Sequence, residues 1–143
     1  ACDLRVMDTT ASIGLTEVSL GIIPGAGGTQ RLTRIVGIAK SKELIFTAKR
    51  LGADEALAIG LVNTVAQAGQ SLGVAMELAL AIAANAPLAV EAAKAAINGG
   101  MGSGIEEGLV LEARSYEVTL FSQDRLEGLA AFAEKRPPVY KGC

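Results

Sequence analysis

The hydrophobic pattern changes character along the chain. Residues 4–7 and 12–15 alternate weakly and predict two short strands around a D-T-T turn. The run V-S-L-G-I-I, apolar but for Ser19, reads as a strand and breaks at Pro24-Gly25 into three glycines within four positions. Leu32, Ile35, Val36 and Ala39 then recur at helical spacing, with Arg31 and Arg34 on one flank and Gly37 as the stop. Residues 40–49 predict a second amphipathic helix, Leu44, Ile45 and Ala48 inward and Lys40, Lys42, Glu43 and Lys49 outward. Gly52 stands at an N-cap with Glu55 three residues on, opening a short helix over 53–59 that ends at Gly60. Residues 61–65 read as extended.

The second half of the pattern is helical and rich in alanine. Helices are expected over 71–84 and 88–97, with Pro87 suited to a helix start. N-G-G-M-G-S-G, residues 98–104, reads as a helix stop and loop. Ile105, Leu109, Glu112, Tyr116 and Leu120 form a ladder four or so residues apart along a further helix. Ser122 is a fitting N-cap for a last helix over 123–135, with Asp124 in its favourable first turn, and Pro137-Pro138 forbids continuation. Twenty-five of the 143 residues are alanine, and such small side chains let helices pack closely on other helices, including those of neighbouring subunits.

Length alone suits one domain. Half of the residues are apolar against 20% charged, which leaves three readings: a membrane protein, an oligomer with large apolar contacts, or a piece of something larger. The longest charge-free stretch, residues 56–76, is interrupted by Asn63, Thr64, Gln67, Gln70 and Ser71, so no spanning helix is expected. The opening A-C-D-L-R-V-M-D has neither the initiator Met nor the pattern of a leader, and reads as the middle of an element.

Composition removes whole chemistries. Without His there is no Ser-His-Asp triad and no imidazole metal site, and Cys2 and Cys143 are too far apart in sequence for a local metal knuckle; no metal is expected. A net charge of -2 and five aromatic residues speak against nucleic acid as a partner.

Three candidate sites remain. G-A-G-G-T-Q lacks the Lys of a P-loop and the third Gly of a dinucleotide turn. It reads as a tight turn needing positive φ, or as a turn whose backbone N–H groups face an active site. Glu17 is the only acid between Asp8 and Glu43 and precedes the apolar run. It is either an exposed strand-end residue or a general acid/base, since burial moves carboxyl groups towards the working range of proton transfer. Lys135, Arg136 and Lys141 either hold a phosphate or solvate a helix end, and position favours the latter.

Four blocks together resemble the enoyl-CoA hydratase/isomerase (crotonase) superfamily. They are A-C-D-L-R-V, G-L-T-E-V-S-L-G-I-I-P-G-A-G-G-T-Q-R-L, A-D-E-A-L-A-I-G-L-V-N and D-R-L-E-G-L-A-A-F-A-E-K-R, in the family's order and spacing. K-E-L-I-F-T and the ending look most like the 3-methylglutaconyl-CoA hydratases, a branch that includes an AU-rich-RNA-binding homologue.

The resemblance implies an α/β, crotonase-like fold: the end of the ββα spiral core over residues 1–68, then a C-terminal helical trimerisation region over 69–143. It also implies a C-terminal half, lacking the first catalytic glutamate and the oxyanion-hole amides and therefore inactive alone. Glu17 matches the second catalytic glutamate, and Gly25 the position whose backbone N–H helps hold the catalytic water. Tyr116 and Lys135 fall where the family contacts the adenine and phosphate end of CoA. The implied reaction is reversible syn-addition of water to a 2-enoyl-CoA, with a one-glutamate Δ3,Δ2-enoyl-CoA isomerase as the alternative. The non-catalytic alternatives are an RNA-binding protein or an oligomerisation module. CoA is part of the acyl-CoA thioester substrate and no separate cofactor is implied; the expected assembly is a trimer or a dimer of trimers, in the mitochondrial matrix or bacterial cytoplasm.

Overall fold

The computed structural model describes residues 1–143 as two compact units, Ala1–Glu77 and Leu78–Cys143. The first contains strands β1 (Val6–Asp8), β2 (Ser12–Gly14), β3 (Arg50–Gly52) and β4 (Thr64–Ala66), and helices α1 (Gly28–Val36), α2 (Ile38–Phe46) and α3 (Ala53–Ala58). A 3₁₀ turn, Glu17–Leu20, stands between β2 and α1. Helix α4 (Ser71–Ala83) spans the division between the units.

The two early strands do not pair with each other. β1 lies parallel to β4, with Val6 opposite Thr64 and Asp8 opposite Ala66, whereas β2 lies antiparallel to β3, with Ser12 opposite Gly52. Asp8, through its carboxylate, braces the chain where it parts between them. One of its carboxylate oxygens accepts from Thr10 N and Thr10 Oγ1, closing the D-T-T turn, and the other accepts from Gly69 N at 2.5 Å, pinning the exit of β4.

Inside this unit, Met7, Leu32, Leu44, Ile45, Leu51 and Ala56 belong to one buried cluster. Leu44 and Ile45 come from α2 and Leu32 from α1, as helical spacing requires. Gly37 ends α1 and precedes α2 with φ 83, a conformation that favours glycine. The two helices are also joined by hydroxyls: Thr33 Oγ1 and buried Ser41 Oγ lie 2.8 Å apart.

The apolar run ahead of the glycines is not a strand. Gly21, at φ 77, ends the 3₁₀ turn by donating to Val18 O, and Leu20, Ile22 and Ile23 are left exposed. Val18, Leu20 and Ile22 alternate with Ser19 and Gly21 as a strand would, but the 3₁₀ turn and the left-handed Gly21 bend the chain there instead.

The second unit is helical: α5 (Pro87–Gly100), α6 (Ile105–Leu120) and α7 (Gln123–Glu134). Pro87 occupies the first turn of α5, where its missing N–H is harmless. Contrary to the expected stop, α5 continues through Asn98, Gly99 and Gly100. A Cβ built on Gly100 would meet Gly108 Cα at 3.6 Å, so the glycines serve close approach of α5 and α6. Ser122 caps α7, its Oγ accepting from Arg125 N at 3.1 Å. No residue of α5 or α6 is buried, although both carry large apolar side chains. No single helix of the chain is long and apolar enough to cross a membrane.

Candidate active site

A cavity of about 370 Å³ opens in the first unit, walled by Leu15, Leu32, Leu44 and Leu51 and floored by the glycine turn. Glu17 is the only acid on its lining. The 3₁₀ turn places it there: Glu17 is its first residue, and its carbonyl accepts from Ile22 N as the chain folds back. The side chain is half-buried, and Oε2 is shielded from solvent without a hydrogen-bond partner. Buried polar atoms are nearly always partnered, so an orphaned carboxylate oxygen at a cavity marks a place where a proton-bearing ligand is expected.

Three basic side chains also line the cavity, and each is engaged elsewhere. Arg5 donates from Nε to Leu61 O at 2.6 Å and from Nη1 to Cys2 O at 2.8 Å. Lys49 Nζ pairs with Glu55 Oε1 at 2.8 Å, and Arg31 Nη1 donates to Ala26 O at 2.8 Å. No salt bridge joins Glu17 to any of the three, so its carboxylate faces the cavity unpaired.

The glycine turn is built for close packing. Gly27 adopts φ 88, and Arg31 curls back over it to reach Ala26. Gly28 opens α1 with Leu15 and Pro24 pressed against its Cα; an added Cβ would stand 2.8 Å from Leu15 Cδ1 and 2.9 Å from Pro24 Cβ. Gly25 is different. It is exposed, its φ is not left-handed, and a Cβ would approach only Ile23 O, at 3.9 Å. It sits between the lining residues Pro24 and Ala26, and no protein acceptor takes its N–H. Glu17 and the turn containing Gly25 thus border one cavity.

Tyr116 and Lys135 lie in the second unit. Tyr116 projects from α6 into a concavity of about 460 Å³ against Ala89, Ala92, Ala93 and Ala96 of α5. Lys135 is the exposed C-cap of α7, in the left-handed conformation, outside that concavity. No three Cys, Asp, Glu or His side chains converge in metal-ligating geometry.

Sequence reasoning missed the carboxylates of α7. Asp124, read as a helix-dipole residue, is buried and accepts from Lys141 N at 2.7 Å and Gly142 N at 2.8 Å. Glu127 binds the Arg136 guanidinium through both oxygens, at 2.6 and 2.9 Å, and also accepts from Val139 N. Their spacing of three residues on one helix face was the available signal, but the tail they hold shows no periodicity.

The first unit thus carries a lone carboxylate at a largely apolar cleft, and comparison with known proteins identifies the family and the fold. The chain belongs to the enoyl-CoA hydratase/isomerase family, whose model matches residues 1–143. It is 52% identical over 142 residues to YngF of Bacillus subtilis, covering 99% of this chain and 55% of that protein. It is 49% identical over 146 residues to the mitochondrial methylglutaconyl-CoA hydratase of Rattus norvegicus, covering 99% of this chain and 46% of that one. The crystal structure of enoyl-CoA hydratase from Bacillus anthracis superposes with a TM-score of 0.97 at 49% identity, over 99% of this chain and 55% of that chain. The crotonase fold follows. The chain spans about half the length of the curated relatives it matches.

Proposed function

We infer that these residues form the Glu17 side of an enoyl-CoA hydratase active site, which adds water reversibly and syn across a 2-enoyl-CoA thioester. The observation that carries this is the unpartnered, shielded Oε2 of Glu17 at an apolar cavity. In that role Glu17 exchanges a proton with the reacting water or with the α carbon, and the Gly25 N–H orients the water. The enolate-like thioester oxygen requires paired N–H donors, each worth roughly 2.7–4 kcal/mol. Glu17 is the only carboxylate on the cavity lining, so hydration requires a second acid/base group brought to the cavity in the intact protein.

Tyr116, 62% exposed, presents a face on which adenine can stack, and Lys135 a point charge for the 3′-phosphate. A homotrimer, or a dimer of trimers, would cover the apolar side chains of α5 and α6, none of which is buried. The single carboxylate also favours a second reading, a Δ3,Δ2-enoyl-CoA isomerase in which Glu17 alone shuttles the proton. Supplying the intact protein with 2-enoyl-CoA and with 3-enoyl-CoA thioesters separates the two. Hydration of the former is expected; isomerisation of the latter without hydration supports the second reading, and inertness to both overturns both.

A further inference from the structure

The tail of the chain returns along α7 as a strap. Arg136 to Cys143 runs back over the helix, held at its start by Glu127 and at its end by Asp124, whose own N–H donates to Cys143 O at 3.1 Å. Gly128 makes room for it: a Cβ there would stand 3.2 Å from the Tyr140 hydroxyl. The reversal occurs at Lys135, one of two non-glycine residues in the chain with positive φ (φ 55, ψ 38). Glycine is the residue that suits this conformation, and the lysine that occupies it here holds a backbone geometry that clusters at functional sites.

The charges around it are arranged unevenly. Arg136 takes both neighbouring carboxylates, Glu127 through Nη1 and Nη2 and Glu134 through Nε at 2.6 Å. Lys135 is left with no ion pair. We propose that the Arg136–Glu127 pair is a positioning device for Lys135. It fixes the chain reversal and withholds the local carboxylates, so that the lysine ammonium is presented uncompensated to the nucleotide phosphate of a CoA thioester. The proposal rests on the reading of Lys135 as a phosphate contact given above. It adds that two residues which touch no substrate set the strength of that contact. Arg136 and Glu127 are therefore positioning residues.

The test uses the intact protein with two substrates, a CoA thioester and the matching pantetheine thioester, which lacks the nucleotide. Lys135→Ala is expected to raise KM for the CoA thioester about tenfold, the scale of a lost hydrogen bond to a charged group. Lys135→Gly should do the same while leaving the melting temperature unchanged or higher. Glu127→Gln should raise KM for the CoA thioester several-fold, leave kcat and the pantetheine KM as they were, and add nothing on the Lys135→Ala background. Arg136→Lys, which keeps a charge but loses the two-pronged geometry, should behave like Glu127→Gln and serves if that variant fails to fold. If Lys135→Ala leaves both KM values unchanged, the phosphate reading falls and the proposal with it. If Lys135→Ala acts as expected but Glu127→Gln and Arg136→Lys leave the CoA KM untouched, or raise both substrates' KM alike, the positioning role alone is overturned.

Discussion

Gly28 and Leu15 are packed so closely that the glycine's missing Cβ is occupied by its neighbour: the ideal Cβ position lies 2.8 Å from Leu15 Cδ1. That contact fixes the start of α1 against the segment that leads into Glu17. Pro24 Cβ, part of a rigid and buried ring, crowds the same point at 2.9 Å, so an added methyl group must displace the proline as well as the leucine tip. Gly28→Ala is therefore expected to destabilise the intact protein by about 1–3 kcal/mol, the usual scale of overpacking. Denaturant unfolding checks it, and Gly25→Ala, with nothing closer than Ile23 O at 3.9 Å, is the comparison that should cost less.

A parallel expectation holds in the helical unit. Gly108 and Gly100 approach with a Cβ-to-Cα distance of 3.8 Å at Gly108, which tolerates a methyl group but not a branched side chain. Gly108→Val should force α5 and α6 apart and lower stability by about 1–3 kcal/mol. Thermal melts of Gly108→Ala and Gly108→Val, compared side by side, read the difference directly.

The strap carries a pH signature. The hydrogen bonds from Arg136, followed by the Val139 N–H, hold the Glu127 carboxyl down at about 2, against an ordinary value of 4.5. A depressed carboxyl stabilises the fold above its unfolded value and loses that contribution as pH falls towards the folded one. The stability advantage of the wild type over Glu127→Gln should therefore be complete above about pH 4.5 and shrink between there and about pH 2. Urea midpoints of both proteins across that window measure it; a constant difference down to pH 2 contradicts it.

What was legible in the sequence was mainly local chemistry. Gly37 ending α1, Pro87 opening α5 and Ser122 capping α7 each act within a few residues, and the structure places them as their backbone preferences require. Glu17 was singled out as an isolated acid beside an apolar run, but its shielded oxygen became visible only with the 3₁₀ turn in place. The parallel pairing of β1 with β4 joins residues 58 apart, and no window of periodicity reports such a partner. Asn98-Gly99-Gly100 misled for a related reason: glycine's local preference as a helix stop yields to a tertiary contact with Gly108. Asp124 and Glu127 were hidden because what they bind is backbone N–H groups of a returning tail.

We infer above that Glu17 transfers the proton. Its most direct test is Glu17→Gln in the intact protein, a near-isosteric change that removes acid/base capacity and little volume. With 2-enoyl-CoA at saturation, kcat should fall about 10²–10⁴-fold, while the melting temperature stays close to that of the wild type. A kcat near the wild-type value, in a variant that is folded and free of wild-type contaminant, would contradict the account and return Glu17 to an ordinary residue at the mouth of a cavity.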